Sequence, residues 1–406
     1  MNKTERIETN QGFITAAVIL ILVLTGSSLL RNAVYHEEIR LWEDVVAKSP
    51  GKMRALDNLG SAYAARNRFD AAIETYRNAI TAHPNASVTW YNRGLAYSRQ
   101  EKYEQAIEDY TRAISLEPAG IARYYTDRGS AYAKLKKWDL ALNDYNKALS
   151  LEPASAAAYV NRAAVYEAND QGALAFADYS KAIELDPHYA AAWVKRSSFS
   201  IAKGQFDKAI QDCSLGISAN PDSSDLYLYR GFAHTGVGKV ETAIEDYTQA
   251  ISLNPESVEA YAKRGLAYAG MGNYDAAIKD YAQAMALRPD YAEAYNNRGL
   301  ALAATKQFYA AIQDYNMAIS LKQDNLDAYL NRGVAYAMSN RHADSVADFS
   351  IVIKLAPKDN RGYANRGIAN YQKGLIKEAI PDLRKGCDLG NRNACGLLKN
   401  ALQQRK

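Results

Sequence analysis

Residues 87–118 read SVTWYNRGLAYSRQEKYEQAIEDYTRAISLEP, and this stretch contains the pattern from which the fold follows. Small and aromatic residues recur in it at spacings of three or four, which places them on two helical stripes. The stripes consist of Trp90, Gly94 and Tyr97, and of Ala106, Tyr110 and Ala113. Pro118 then ends the second helix, because proline cannot continue one. The stretch therefore predicts two helices that pack as a hairpin.

The same pattern recurs along most of the chain. A small residue marks each copy, at Gly60, Gly94, Gly129, Ala163, Ser197, Gly231, Gly265, Gly299, Gly333 and Gly367. Every step between copies has the same length, except that the step from the second copy to the third is one residue longer. Repeated framework positions also account for most of the 30 tyrosines, which we interpret as packing residues and not as a base-stacking surface. One hairpin cannot bury both of its stripes, so the copies must stack on one another.

The period of about 34 residues and the motif resemble those of the tetratricopeptide repeat. The resemblance extends from about Met53 to Asn391. It implies an all-α fold, a right-handed α-solenoid of about ten helix hairpins. In that family the first helices line a concave groove that takes up a peptide or helix of a partner protein. We therefore assign residues 53–391 to ten repeats and residues 392–406 to a C-terminal capping helix.

A ladder of opposite charges runs through nine of the ten copies. The residue before the small anchor is Arg, and an Asp follows it at the same distance in every one of the nine. The pairs are Arg93 and Asp109, Arg128 and Asp144, Arg162 and Asp178, Arg196 and Asp212, Arg230 and Asp246, Arg264 and Asp280, Arg298 and Asp314, Arg332 and Asp348, and Arg366 and Asp382. The first copy has Leu59 and Thr75 instead, so both members change together. We predict bidentate ion pairs that bridge the helices of each hairpin; the alternative is a charged ligand track.

The groove that the resemblance implies has a mostly small and apolar lining. Its larger predicted residues are Tyr91, Leu95, Leu228, Phe232, Leu266, Leu300, Leu330, Val334 and Ile368. Such a lining suits an amphipathic or an extended apolar segment of a partner. The alternative is that several of these side chains pack against the neighbouring repeat.

The front end of the chain carries an apolar segment. The run from Thr9 to Leu30 contains no charged residue, and a helix of that length spans about 33 Å. We predict a membrane anchor within residues 1–34, with the repeats on the exported side of a single-pass protein. A cleaved signal peptide is the alternative, because Thr25-Gly26-Ser27 offers small residues for cleavage.

Residues 35–52 are predicted to form a half-repeat and linker. Pro50 lies one full repeat length before Pro84, and Trp42 lies one full repeat length before Tyr76. The segment from Leu41 to Pro50 resembles the junction in membrane-embedded protein O-mannosyltransferases that carry tetratricopeptide tails. The multi-span catalytic part of those enzymes is absent here. The resemblance leaves one alternative function, an accessory module for a membrane glycosyltransferase.

The far end has a second resemblance. Cys387-Asp388-Leu389-Gly390 and Ala394-Cys395 resemble Sel1-like repeats, in which two cysteines bridge adjacent helices across a turn. The resemblance implies a disulfide between Cys387 and Cys395, which would require an oxidising compartment. Two buried free thiols are the alternative.

Composition and motifs argue against other functions. The net charge of +4 is small, and no block of Lys and Arg marks a nucleic-acid surface. The sequence has no phosphate-binding glycine motif and no nucleophile elbow, and its five histidines lack metal-site spacing. We predict a non-catalytic, membrane-anchored interaction scaffold with protein partners and without nucleic acid, metal, cofactor or small-molecule substrate. A soluble, exported chaperone-type adaptor is the alternative if the front end is cleaved.

Overall fold

The computed structural model describes residues 38–117 and 119–404, and every element within those ranges is a helix or a turn. Helix α1 is described over residues 38–48. Four hairpins follow: α2 (Met53–Ala65) and α3 (Phe69–Ala82), α4 (Ser87–Arg99) and α5 (Tyr103–Leu116), α6 (Ala122–Lys134) and α7 (Trp138–Leu151), and α8 (Ala156–Ala168) and α9 (Gly172–Leu185). Helices α1–α9 form one compact unit, which we call the N-terminal unit.

A second compact unit, the C-terminal unit, begins at Pro187. Its hairpins are α10 (Ala190–Ala202) and α11 (Phe206–Ala219), α12 (Ser224–Gly236) and α13 (Val240–Leu253), α14 (Val258–Gly270) and α15 (Tyr274–Leu287), α16 (Ala292–Ala304) and α17 (Phe308–Leu321), α18 (Leu326–Met338) and α19 (His342–Leu355), and α20 (Asn360–Gln372) and α21 (Ile376–Asp388). Helix α22 (Arg392–Gln404) ends the described chain. The ten predicted hairpins are thus present, four in the N-terminal unit and six in the C-terminal unit, and the hairpins of each unit stack on one another.

A short turn with one residue in the left-handed region joins the two helices of each hairpin. Non-glycine residues take that conformation in six turns, with φ between 55° and 63°, at Asn67, Glu101, Lys136, Asp170, Lys306 and Asn340. Glycine takes it in the other four, at Gly204, Gly238, Gly272 and Gly374. This conformation reverses the chain directly after the last helical turn, so the second helix folds back onto the first.

The core of most hairpins is formed where an aromatic ring of the second helix covers the small anchor of the first; Cys213 and Leu383 take the place of the ring in the other two. A methyl group placed on Gly299 would lie 2.6 Å from Cε1 of Tyr315. Tyr315 itself is fully buried. The close approach of the ring leaves no room for a larger side chain at Gly299, which explains why the anchor is Gly, Ala or Ser in every copy.

The two ends of the array carry extra helices. Ile39 of α1 is buried in the cluster formed by α2 and α3, and Trp42 packs against it. The Tyr63 hydroxyl of α2 donates a hydrogen bond of 2.5 Å to the Glu43 carboxylate of α1. At the other end, α22 buries Ala394 and Ala401 against α21. Both extra helices therefore cover an apolar face that would otherwise meet water.

A disulfide joins Cys387 of α21 to Cys395 of α22. These are the two residues that the Sel1-like resemblance pairs. Their Cα atoms are 4.7 Å apart and eight positions apart in sequence, so the bond closes a short loop around the turn.

We expect loss of this disulfide to release α22. Replacing both cysteines by alanine should lower the free energy of unfolding of the last hairpin by about 2–3 kcal/mol, since the loop no longer constrains the unfolded chain. Hydrogen exchange should show faster exchange in α22 and the end of α21 and unchanged exchange in α12–α15. Adding a reductant should reproduce the change in the wild-type chain and have no effect on the alanine variant. Equal protection in all four samples would contradict the prediction.

No helix within the described ranges is long and apolar enough to cross a membrane. The predicted span from Thr9 to Leu30 lies outside the described residues. The anchor therefore stays a prediction from the sequence.

Candidate functional site

Nine buried Arg–Asp pairs bridge the helices of their hairpins. In each pair the arginine donates from Nε and Nη2, with closest N···O distances of 2.6–2.8 Å. The nine pairs are those that the charge ladder of the sequence predicts. The aspartate side chains are only 2–11% exposed. The hydrogen bond to Asp280 raises the pKa of Arg264, so the guanidinium stays charged.

At least six of these arginines also reach back to the preceding hairpin. Their Nη1 atoms donate to a hydroxyl or amide oxygen on the previous second helix, at 2.6–3.5 Å. The pairs are Arg128 and Thr111, Arg162 and Asn146, Arg230 and Ser214, Arg264 and Thr248, Arg332 and Asn316, and Arg366 and Ser350. The ladder is thus engaged in holding hairpins to themselves and to each other, which leaves its carboxylates no free oxygen for a ligand.

The nine residues predicted to line the groove occupy two different environments. Six lie one position after the small anchor, and they are half-buried or exposed: Leu95, Phe232, Leu266, Leu300, Val334 and Ile368. Three lie three positions before the anchor and are only 3–5% exposed: Tyr91, Leu228 and Leu330. The burial of Tyr91, Leu228 and Leu330 favours the alternative that the sequence left open, packing against the neighbouring repeat, although Leu228 also lines a cavity on the first helices.

Packing against the next repeat explains this burial. The Tyr91 ring stacks on Tyr124 of the following first helix, with ring centroids 4.5 Å apart. Its hydroxyl donates a hydrogen bond of 2.5 Å to the Asp127 carboxylate. Leu228 and Leu330 likewise belong to apolar clusters that include the next repeat. A position three residues before the anchor is covered by the neighbouring first helix, whereas the position after the anchor is covered only in part.

An apolar cavity of ≈ 370 Å³ opens on the first helices of the C-terminal unit. It lies among α10–α14 and is lined chiefly by Ile201, Phe206, Phe232, Val240, Leu266 and Gly270. Two of these, Phe232 and Leu266, are among the predicted groove residues. Lys263 stands beside it, with Nζ 4.8 Å from the centroid of the Phe232 ring. This cavity, which we call the apolar cavity, can accept one large apolar side chain.

A second cavity, of ≈ 330 Å³, lies on the same helices towards their N-terminal ends. Its charged lining consists of Asp225, Glu259 and Lys195, so two carboxylates face one ammonium group. Tyr229 also lines it, and burial followed by the nearby Glu259 carboxylate raises the pKa of this phenol. We call this the acidic cavity. Its net negative charge suits a cationic group.

The acidic residues of this surface are not among the residues predicted from the sequence. Four first helices in succession carry an acid six residues before the anchor: Asp225, Glu259, Glu293 and Asp327. We call these four residues the acidic row. Their recurrence at the repeat period was available from the sequence, but an isolated acid in the first turn of a helix is ordinary because it interacts well with the helix dipole.

Neither a metal centre nor a reactive thiol appears in the part of the chain that the structure describes. No group of three His, Cys, Asp or Glu residues there could hold a metal ion. Cys213 is buried, and burial raises the pKa of its thiol to about 12. A thiol with that pKa is protonated at neutral pH and is therefore a poor nucleophile.

Four family models, all described as tetratricopeptide repeat or TPR repeat, match the sequence. One matches residues 87–119 and 292–325, and a second matches residues 60–101, 129–170, 237–272 and 269–306. The others match residues 330–394 and residues 156–189. Together these matches span more than half of the 406 residues. No curated protein matches the sequence.

Several solved structures are similar to this chain. Yeast Tom70 is 16% identical over 96% of this chain and 97% of its own, with a TM-score of 0.43. A tetratricopeptide repeat protein from Parabacteroides merdae is 20% identical over 61% of this chain and 99% of its own, with a TM-score of 0.46. YrrB, described as a TPR protein with an unusual peptide-binding site, is 24% identical over 45% of this chain and 95% of its own, with a TM-score of 0.38.

Proposed function

Because this chain belongs to the tetratricopeptide-repeat family, we propose that it is a non-catalytic scaffold that holds a segment of a partner protein against its C-terminal unit. The binding surface is formed by the first helices of that unit, α12, α14, α16, α18 and α20. The observation that carries the proposal is a large apolar side chain at the same repeat position of five successive first helices. We call this row the apolar stripe; it consists of Phe232, Leu266, Leu300, Val334 and Ile368.

Most of the apolar stripe is not used by the core: Leu266, Leu300 and Val334 are exposed, whereas Phe232 and Ile368 pack partly against core clusters. Leu266 and Leu300 are 48% and 45% exposed, whereas the residues that follow them, Ala267 and Ala301, are buried. Single exposed apolar residues are common on proteins, but a row repeated on five neighbouring helices is a surface that gains from being covered. The apolar cavity lies on this stripe between Phe232 and Leu266, where it offers a pocket for an anchoring side chain.

We expect the Leu266→Asp/Leu300→Asp double variant to lose its partner. Contact would force two carboxylates out of water without a partner, which costs several kcal/mol. After crosslinking in the native membrane and purification of the full chain, the amount of crosslinked partner should fall at least ten-fold.

The matched control is Leu140→Asp/Leu174→Asp. These leucines are 48% and 49% exposed and lie on the second helices α7 and α9 of the N-terminal unit. The control introduces the same charges at the same exposure but outside the stripe, so its partner yield should equal that of the wild type. Equal loss in both double variants, or no loss in either, would contradict the proposed binding surface.

We further propose that Thr9–Leu30 anchors the scaffold in a membrane, with the repeats on the exported side. The uncharged length of that segment and the Cys387–Cys395 bond both favour this arrangement, since disulfides persist in oxidising compartments. An anchored chain should stay in the membrane pellet after carbonate extraction, and protease added from the exported side should degrade the repeats. Release of the whole chain by carbonate would favour the cleaved, soluble alternative instead.

The accessory role for a membrane glycosyltransferase rests on the resemblance of the segment from Leu41 to Pro50. The same crosslinking experiment tests it, because the partner is identified by mass spectrometry. Recovery of a glycosyltransferase that disappears in the Leu266→Asp/Leu300→Asp variant would support that role, and a different partner would exclude it.

A further inference from the structure

We infer that the segment bound by the C-terminal unit presents a large apolar side chain and an arginine or lysine on one side, separated by the length of almost two helical turns. This inference rests on the proposed function and adds the chemistry of the occupant. It follows from the constant spacing between the acidic row and the apolar stripe. The repeat motif does not require residues of these types at these positions.

Each acid of the row stands seven residues before a member of the stripe. The pairs are Asp225 and Phe232, Glu259 and Leu266, Glu293 and Leu300, and Asp327 and Val334. Seven residues are almost two full turns, so both side chains of a pair lie on the same face, about 10 Å apart along the helix. Four consecutive first helices thus repeat one arrangement, an acid at one edge of the surface and an apolar side chain at the other.

Asp225 and Glu259 are the members of the row that are free to accept a cation. Both are exposed, and neither forms an ion pair within the described residues. Asp327 is already engaged, because Arg361 lies 3.0 Å from its carboxylate. The Tyr291 hydroxyl lies 3.4 Å from Glu293. A cationic group would therefore bind best between α12 and α14.

The two cavities coincide with this arrangement. The acidic cavity contains Asp225 and Glu259, and the apolar cavity contains Phe232 and Leu266. Residues of α10, α12 and α14 line both cavities, and α11 and α13 add to the apolar cavity. One short segment that lies along these first helices can therefore reach both. An apolar side chain gains free energy by leaving water in the apolar cavity. A guanidinium or ammonium group gains free energy in the acidic cavity by pairing with its two carboxylates. These two negative charges outnumber the single positive charge of Lys195 in the same cavity.

The arrangement is specific to the C-terminal unit. The corresponding acid positions in the N-terminal unit are occupied by Arg54, Val88, Arg123 and Ala157. The corresponding stripe positions there are occupied by Ser61, Leu95, Ser130 and Ala164. A preference for basic partners is therefore built into one unit and is not a by-product of the repeat.

The geometry also limits the spacing of the two groups in the partner. In a polyproline II segment, residues three apart lie on one side and are about 9 Å apart. In an α-helix, residues seven apart meet the same requirement at about 10 Å. We therefore expect the tightest binding when the apolar and the basic residue of the partner are three or seven positions apart. Equal binding at all separations would contradict the inference.

The test uses the full chain in detergent micelles and fluorescent twelve-residue peptides. Each peptide carries one leucine and one arginine on an alanine and glutamine background, at separations from one to seven. A matched series carries glutamate in place of arginine. At low salt we expect the best arginine peptide to bind at least ten-fold more tightly than its glutamate counterpart, and the difference to shrink as salt screens the charges.

Charge variants assign the effect to the acidic cavity. Asp225→Asn/Glu259→Gln should bind arginine and glutamate peptides within two-fold of each other, and Asp225→Lys/Glu259→Lys should prefer the glutamate series. The control is Glu241→Gln/Asp275→Asn, which removes two exposed first-turn acids from the second helices α13 and α15. It reproduces the loss of helix-dipole interactions and should leave the ten-fold preference intact.

Gly270→Leu tests the apolar cavity separately. Gly270 lines the cavity, and a Cβ atom added there meets nothing within 4 Å, so the substitution adds volume without a backbone clash. We expect the melting temperature to be maintained and affinity for the leucine–arginine peptide to fall at least ten-fold. Unchanged affinity would overturn the assignment of this cavity to the apolar side chain.

The outcomes separate the inference from the proposed function. If arginine and glutamate peptides bind equally, and Leu266→Asp/Leu300→Asp abolishes binding of both, the inference is wrong and the scaffold proposal stands. If the native partner is still crosslinked fully to that double variant, the proposed surface itself is wrong, whatever the peptides do.

Discussion

Replacing Arg264 by methionine is expected to lower the free energy of unfolding of the C-terminal unit by about 3–5 kcal/mol. The guanidinium donates to both oxygens of Asp280, which is buried between α14 and α15. Methionine fills a similar volume but leaves the carboxylate charged and without its partner. It also removes the hydrogen bond of 3.0 Å to Thr248 on the preceding hairpin. Urea unfolding of the full chain, followed by circular dichroism, should show an earlier transition.

The double variant Arg264→Met/Asp280→Leu should recover most of this loss. Removing both charges abolishes the penalty for an unpaired buried carboxylate, so the effects of the two single substitutions will not add. The control is Arg341→Met, because Arg341 pairs with Asp344 at 2.7 Å but both side chains are about half exposed. That change should cost under about 1 kcal/mol. Simple additivity in the Arg264 and Asp280 cycle would contradict a structural ion pair.

Replacing Tyr315 by alanine is expected to cost about 3–5 kcal/mol, since it leaves a cavity at the centre of a hairpin. The ring is fully buried and lies on Gly299, so no other side chain can move into its place without a shift of α16 against α17. Differential scanning calorimetry should show a lower melting temperature for the transition that contains the C-terminal unit.

Two further variants make this prediction specific. Tyr309→Ala removes a ring that is exposed on the same helix. It should change the free energy of unfolding by less than about 0.5 kcal/mol. Gly299→Ala should destabilise the wild type, in which its methyl group would overlap the Tyr315 ring, but should be tolerated in the Tyr315→Ala background. An equal effect of Gly299→Ala in both backgrounds would contradict the packing of the ring on the anchor.

The repeat and its hairpins could be predicted because the residues that form them recur at a fixed period. The regular recurrence of small and aromatic residues places every anchor and every covering ring, and the structure has each hairpin where the period predicts it. The Arg–Asp ion pairs could also be predicted from their constant spacing. Leu59 and Thr75 replace both members of the pair in one copy, which indicates that the two residues depend on each other. Features that depend on contacts within a hairpin were therefore accessible from one chain.

The groove was harder to predict because it depends on contacts between hairpins. Leu228 and Phe232 are one turn apart on α12, and helical periodicity assigns them to the same face. Contact with α14 buries Leu228, whereas Phe232 lies at the edge of a cavity. No pattern within a single repeat contains that contact. The bonds from the arginines to the preceding hairpin escaped prediction for the same reason.

The direction of those last bonds has a consequence for biosynthesis. An arginine such as Arg264 finds its carboxylate in its own hairpin and its additional acceptor, Thr248, in the hairpin made before it. A chain that emerges amino end first, from a ribosome or a translocation channel, can therefore close each hairpin onto a predecessor that is already complete. None of these hydrogen bonds between hairpins requires residues that are still to be synthesised. The hairpins can therefore assemble as fast as the chain elongates.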